Sequence, residues 1–324
     1  MNVSDAGAAP VRQNPPATPK ASTTAPAAPQ APAAPAPKAD AAAPATQPAN
    51  DKFVQAKATG GGGANGNPKI DVDSEKNAQY QHLDGTPFIQ GSGDSNVVEW
   101  NDIHQQDLGD CYFMSSLGEI AKANPQLIQN AIKDNGDGSY NVRLYEKKGD
   151  GPFGWFGHHY EAKDIRVTPD FPMVNGSPVF AGTTGDTDGA KQELWPLLME
   201  KAFAQSKGSY NAIGNGGNPG DAMAMLTGKD SSEKSAKDVS LDQLSQALAS
   251  GNAVTATSLE NGKGKQPYDN GQLHSYHVYM VTGVDKQAQT VTLRNPWGTW
   301  TNDVVLPIAD FNKYMSAVDF NATR

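Results

Sequence analysis

The chain carries a single cysteine, Cys111, in 324 residues, so no disulfide framework can form within it. No apolar run approaches the roughly 20 residues that a membrane span needs. An apolar stretch of the Sec signal-peptide kind is also missing near Met1, which argues against Sec-type export. The first 50 residues hold no aromatic side chain and hardly any charge, but 18 Ala and 11 Pro. Phe53 is the first aromatic, and the run GGGGANGNP follows at 60–68. Such a segment cannot bury enough apolar surface to offset the entropy of ordering its backbone. Residues 1–70 are therefore expected to form a disordered, partly polyproline-like tail with a glycine hinge. A basic stripe is the last thing absent. The net charge is −9, of which the segment to Lys69 contributes +3 and the remainder −12. An acidic body without a basic face argues against nucleic acid and anionic membrane as partners. The expected location is the cytoplasm, or outside the cell by a route without a Sec-type signal, with the tail available to a partner or to secretion machinery.

What is present beyond the tail is patterned. Met114, Leu117 and Ile120 recur at helical spacing through CYFMSSLGEIAKA, and Asn124-Pro125 starts a second helix with Leu127, Ile128, Ala131 and Ile132 on one face. SYNVRLYE and EAKDIRVT read as strands, with more strand-and-turn pattern through SPVFAG. ELWPLLMEKAFAQ reads as an apolar helix, followed by a glycine-rich passage, GNGGNPGDAMAMLTGKD. Ser240 with Gln243 forms a capping box for a helix lined by Leu241, Leu244 and Leu248 and ended by Gly251. Strands follow in AVTAT, HVYMVTGV, TVTLR and DVVLP. A helix-rich part thus carries Cys111, and a strand-rich part carries His277 and Asn295.

A lone cysteine is more often a small buried hydrophobe than a nucleophile. Cys111, however, stands where Gly109-Asp110 gives way to an amphipathic helix, and the positive end of a helix favours the thiolate. A base is needed as well. Of six histidines, His82, His158 and His159 are expected on the surface, and His104 lies on an extended approach that points it elsewhere. His274 and His277 remain, flanking Ser275-Tyr276 where a loop enters a strand. A base must also be held in one orientation, usually by a carboxylate or amide. Asn295 ends the TVTLR strand 18 residues after His277. Two antiparallel strands joined at Asp285 to Ala288 bring it close.

These segments resemble the calpain family of cysteine peptidases. QQDLGDCYFMSSL is similar to the family's QGxLGDCW around the nucleophile, HVYMVTGV to HAYSVTGA, and LRNPWG is the same string. ELWPLLMEKAFAQSKGSYNAIGNGG is similar to FWxxLLEKAYAKxxGSYEAL. The four occur in order between about Asp102 and Gly298. The resemblance implies Cys111 as nucleophile and His277 as base, since His277 and not His274 stands at the family's distance from Val281-Thr282-Gly283. It implies Asn295 as the orienting amide, Gln105 as oxyanion donor and Trp297 as the ring shielding the His–Asn pair. Tyr112 stands where the family has tryptophan. The family's core also binds calcium, and Asp102 and Glu193 match ligands there. Against this, GSGDSNVVEW departs from the family's pattern and no DxDxDG loop occurs. The chemistry itself requires no cofactor.

The fold implied is α+β and papain-like: a helical lobe over 71–228 with the nucleophile, and an antiparallel strand-rich lobe over 229–324 with His277 and Asn295. The function implied is a cysteine endopeptidase acting on protein or peptide substrates. The alternatives are transglutaminase-like or deamidase acyl transfer on the same triad, and an inert binding protein that retains a peptidase fold.

Overall fold

The computed structural model describes residues 66–150, 157–261, 267–298 and 301–324. The tail expected over 1–70 lies outside these, apart from residues 66–70. The apolar spacing after Cys111 forms helix α1 (Cys111–Ala123), in which Met114, Leu117 and Ile120 are fully buried. Asn124 closes it by donating its N–H to Ile120 O, and Pro125 opens α2 (Pro125–Ala131). The apolar ELWPLLMEKAFAQ stretch becomes α3 (Trp195–Lys207), ended by Gly208 in the left-handed region at φ 101. A short α4 (Tyr210–Ile213) is capped by Ser209, which accepts from Ala212 N.

The glycine-rich passage after α4 contains a further helix, α5 (Pro219–Thr227). Its end signals decide this. Asn218 caps the first turn by accepting from Asp221 N, Pro219 fits the first helical position, and Gly228 takes φ 70 at the end. The glycines thus flank a helix instead of dissolving one.

Apart from one ten-residue pair, the strands of this part are short. They are β1 (Gln79–His82), β2 (Gly85–Thr86), β3 (Ile132–Asp134), β4 (Tyr140–Gly149) and β5 (His158–Val167). After them come β6 (Asp170–Val174), β7 (Ser177–Pro178), β8 (Thr187–Asp188) and β9 (Lys191–Glu193). They form three small sheets ordered β1-β6-β7, β2-β9-β8 and β3-β4-β5. Two of the strands, β1 and β2, fall within 71–100, where apolar periodicity is sparse.

The remaining elements make one large antiparallel sheet. β10 (Ser231–Ser235) precedes α6 (Leu241–Ala249), whose capping box between Ser240 and Gln243 is present in both directions. Then follow β11 (Asn252–Ser258), β12 (Val278–Asp285), β13 (Thr290–Arg294) and β14 (Val304–Pro307). A helix α7 (Ile308–Tyr314) leads to β15 (Met315–Ala322), which inserts between β10 and β11, giving the order β10-β15-β11-β12-β13-β14. The architecture is α+β, as expected.

Two hydrophobic cores result. One gathers α1 and α3 around Phe113, Leu117, Trp195 and Phe203, with Phe113 stacked on Phe203 at 4.2 Å. The other lies under the large sheet around Leu244, Tyr279, Leu293 and Phe311. α1 joins them, because it packs on α5 and also on β11 and β12. Gly118 permits the approach: a Cβ there would lie 2.3 Å from Met280 Sδ and 3.2 Å from Ile103 Cγ1. Gly118→Ala should therefore lower stability by about 1–3 kcal/mol despite alanine's better helix propensity. Chemical denaturation of the two proteins measures this, and equal or greater stability in the variant would mean that the seam between α1 and β12 is loosely packed.

Candidate active site

The base and its orienting group are brought together by sheet register. β12 and β13 pair with Met280 opposite Arg294, which brings His277, just before β12, and Asn295, just after β13, to the same end of the hairpin. His277 Nε2 lies 2.9 Å from Asn295 Oδ1. The amide oxygen can only accept, so Nε2 carries the proton and Nδ1 keeps its lone pair. Asn295 Oδ1 also accepts from Trp297 N at 3.1 Å, which fixes the amide's rotation. The Trp297 ring covers both histidines, 5.2 Å from His277 and 4.4 Å from His274, centre to centre. His277 is 7% exposed and Asn295 2%. Burial, the largest influence, lowers the His277 pKa to about 4, against the opposing hydrogen bond that the ring donates to Asn295.

Sequence patterning gave no hint of what holds the loop before His277. Ser258, 1% exposed at the end of β11, accepts His277 N at 2.9 Å and lies 2.5 Å from His274 O and 3.1 Å from His277 O. Tyr279 Oη accepts His274 N. Between the two histidines Tyr276 takes φ 52, an uncommon conformation for a residue with a side chain, and is 68% exposed. A lone serine in an alternating strand has no signal that distinguishes it from a surface hydroxyl.

Cys111 is the first residue of α1 and is 9% exposed. Its thiol makes a backbone hydrogen bond with Val278, the residue after His277, and Ser115 Oγ donates to Val278 O at 2.8 Å. Helix α1 thus runs against the start of β12. The helix end, expected to favour the thiolate, is outweighed here. Burial is the dominant effect and pushes the thiol up to about 11, with the neighbouring Asp110 charge adding to it; the backbone hydrogen bonds to Val278, Tyr112 and Cys111 itself pull the other way and lose.

Gln105 is 6% exposed and pairs with this region through its backbone, N–H to Pro296 O at 2.8 Å. Its side-chain Nε2 is 2.6 Å from Leu108 O and 3.2 Å from Asp110 Oδ1, so both amide protons are engaged inward, and Oε1 has no partner. Donation to an oxyanion requires this side chain to turn. His104 sits behind the NPWG turn, where a Cβ at Gly298, itself at φ 82, would fall 2.1 Å from its Cδ2. His82, His158 and His159 are exposed and bonded to Asp170, Asp230 and Asp150 respectively.

Asp102 and Glu193 also meet, and the structure adds Asp186 to them, with one oxygen from each within 4.8 Å of the others. Asp102 Oδ2 is engaged by Trp195 Nε1 and Glu99 N, and Glu193 Oε1 by Ile89 N, while Glu193 Oε2 is buried with no partner. Burial first, and mutual repulsion after it, raises Asp102 to about 7 and Glu193 to about 8. Three crowded carboxylates with an orphaned oxygen fit a hard divalent cation such as calcium, which would neutralise them and tie Asp102, near the start of the approach to Cys111, to the start of α3. Asp186 lies in TTGDTDG, a turn-like string with no pattern pointing to it.

A model of the calpain family cysteine protease matches residues 91–305. Among characterised proteins the chain is similar to calpain-13 of Rattus norvegicus, 30% identical over 208 residues, which make up 61% of this chain and 29% of that protein. It is similar to calpain-9 of Homo sapiens, 26% identical over 210 residues, covering 61% and 28%. A calpain of Schistosoma mansoni is 29% identical over 212 residues, covering 61% and 26%. The matched stretch is thus less than a third of the length of each of these relatives.

The carboxylate cluster yields a pH-signed expectation. Asp102 and Glu193 have raised pKa values, so without a cation the fold keeps their full contribution at acid pH and loses it as pH rises through about 7 to 8. A bound cation must displace those protons, so its effect grows with pH. Millimolar calcium should therefore raise the melting temperature more at about pH 8 than at about pH 6, by about 3 kcal/mol of stability at a hundredfold excess over Kd. The shift should vanish in Asp186→Asn. Calcium shifts of equal size in that variant would place the cation elsewhere.

Proposed function

The chain belongs to the calpain family of cysteine proteases, and on that premise we propose that it is a cysteine endopeptidase which hydrolyses protein substrates through an acyl-enzyme on Cys111. The observation that carries this reading is the buried His277–Asn295 pair, whose hydrogen bond leaves Nδ1 free as a base, beside the start of the helix that bears the only thiol. The two lobes proposed, 71–228 and 229–324, each contribute part of the site, and an extended protein segment is the substrate form such a seam accommodates.

The resting pair is neutral. Burial holds the proton on sulfur and off the imidazole. Substrate entry must bring Sγ and Nδ1 together so that the proton moves from thiol to imidazole as sulfur attacks the carbonyl carbon. The oxyanion then takes its hydrogen bonds from Cys111 N–H and, once turned, from the Gln105 amide; one such donor is typically worth about 3 kcal/mol. The tetrahedral species collapses with cleavage of the C–N bond, and His277 protonates the departing amine. Water, deprotonated by the same imidazole, hydrolyses the thioester and restores the thiol. Asn295 keeps the ring in one tautomer throughout, and Trp297 excludes water from its face.

Calcium bound by Asp102, Asp186 and Glu193 would supply charge neutralisation beside the approach to Cys111, and activity without it is proposed to persist. No helix among the described residues is long and apolar enough to cross a membrane. A cytoplasmic setting, or export without a Sec-type signal, is proposed, with a protein partner or secretion machinery for the tail.

Cys111→Ser should abolish cleavage, read as new N-termini in a protein substrate, with folding intact. His277→Ala should abolish it too, and Asn295→Ala should lower kcat by less than His277→Ala does, since it loosens the base without removing it. Alkylation of Cys111 in the substrate-free protein at about pH 7 should be at least about tenfold slower than for an unhindered thiol and should accelerate as pH rises. Rapid alkylation independent of pH would show that the resting sulfur is already a thiolate, and cleavage surviving in Cys111→Ser would remove the nucleophile from the account.

A further inference from the structure

Directly behind the nucleophile lies a pair of carboxyl groups that the chemistry above does not use. Asp110 is fully buried at the N-cap of α1, and Glu200, 3% exposed, projects from α3, whose residues Trp195 to Gln205 are all buried. Their side chains are within hydrogen-bonding reach of one another. No lysine or arginine is among the groups that act on either carboxyl. Lys201, next in the chain, turns instead to the carbonyls of Thr168 and Asp170, at 2.8 and 2.7 Å.

Two adjacent buried anions without a cation cannot both persist, since each would lose its hydration and repel the other. The hydrogen-bond inventory points the same way. With both groups written as carboxylates, Asp110 Oδ2 and Glu200 Oε1 are each left without a partner. One proton between the two side chains removes the deficit. The surroundings decide who carries it. Burial raises both carboxyls, but at Asp110 it is opposed by its own backbone N–H, by the Glu200 side chain and by Gln105 Nε2 at 3.2 Å, all of which favour the charged form. Glu200 is neutralised by its burial and by the Asp110 charge, against a single hydrogen bond from the Ala181 backbone. Ala181 in turn pairs with Gln105 through an isolated antiparallel bridge. Glu200, Asp110, Gln105 and Ala181 therefore close a ring whose rim carries Cys111.

We propose that Glu200 holds a proton which it donates to Asp110, and that this shared proton fixes the Gln105 amide and the entry into α1 at Cys111, so that Glu200 is a positioning residue of the site. The groups facing the pair are Tyr80 on β1, Tyr210 on α4, and Cys111 and Tyr112 on α1. All four stay neutral over the pH range in which carboxylic acids of this kind titrate. Only the role given to Gln105 rests on the peptidase reading; the shared proton does not depend on it.

Two variants of the full chain test the two halves separately. Glu200→Gln keeps a donor to Asp110 but cannot ionise, and Glu200→Met keeps the volume without a donor. A group with a raised folded pKa contributes its stability below the ordinary carboxylate range and loses it as pH climbs through the folded value. Melting temperatures of Glu200→Gln and the wild type should therefore nearly coincide at about pH 5 and diverge in favour of the variant towards about pH 8. A difference that stays flat across that range overturns the shared proton, whether or not the protein cleaves anything. For positioning, Glu200→Gln should keep kcat within about threefold of the wild type, and Glu200→Met should lose at least about tenfold in kcat with KM little changed. Loss of activity in Glu200→Gln as deep as in Glu200→Met, or full activity in both, overturns the positioning role. Should Glu200→Met fail to fold, Glu200→Leu, smaller and equally without a donor, takes its place for the positioning half, and the Glu200→Gln comparison still decides the shared proton.

Discussion

The first turn of α1 rests on the first residues of β12, and the rest of the site depends on that contact. Ser115 donates to Val278 O, the Cys111 thiol meets the Val278 backbone, and Gly118 lets Met280 approach the helix. A helix end and a strand end are rigid supports, so the thiol and the imidazole are each placed by an element and not by a loop. The dependence runs outward from there. β12 pairs with β13 and so delivers Asn295 to His277, while α1 packs on α3 and so sets the carboxyls of Asp110 and Glu200 against each other.

Burial is what this arrangement costs, and it sets the electrostatics. The interior holds Asp110, Glu119, Glu193, Glu200 and Lys201 at no more than 3% exposure. Desolvation is the leading influence on every one of them, raising the acids and lowering the lysine to about 7. The same influence acts on Cys111 and His277 in opposite directions, pushing the thiol up and the imidazole down. Activation is then a matter of proton movement during substrate binding, for which a dry and preorganised site is suited.

The parts of the site that were legible in the sequence are those carried by local pattern. The register of one hairpin predicts the His277–Asn295 contact, and the helical spacing after Cys111 predicts α1. The capping box at Ser240 and Gln243 also forms as read. What escaped depended on distant chain. Asp186 joins Asp102 and Glu193 only through the fold, and Ser258 grips the His274–His277 turn from a strand that ends 16 residues earlier in the chain than His274. β15, far along the chain from both neighbours' sequence signals, sits inside the large sheet between β10 and β11. The thiol was misjudged for a physical reason. A helix end is visible in sequence, whereas the depth at which it is buried is not.

The central claim is that Cys111 is the nucleophile and His277 the base that draws its proton. The most direct measurement is mass-spectrometric mapping of the adduct formed by the full chain with a peptide bearing a thiol-reactive electrophile. The account predicts one adduct, on Cys111, formed much faster with the peptide than with the bare electrophile, and lost in His277→Ala. An adduct rate on Cys111 that is unchanged in His277→Ala would contradict it.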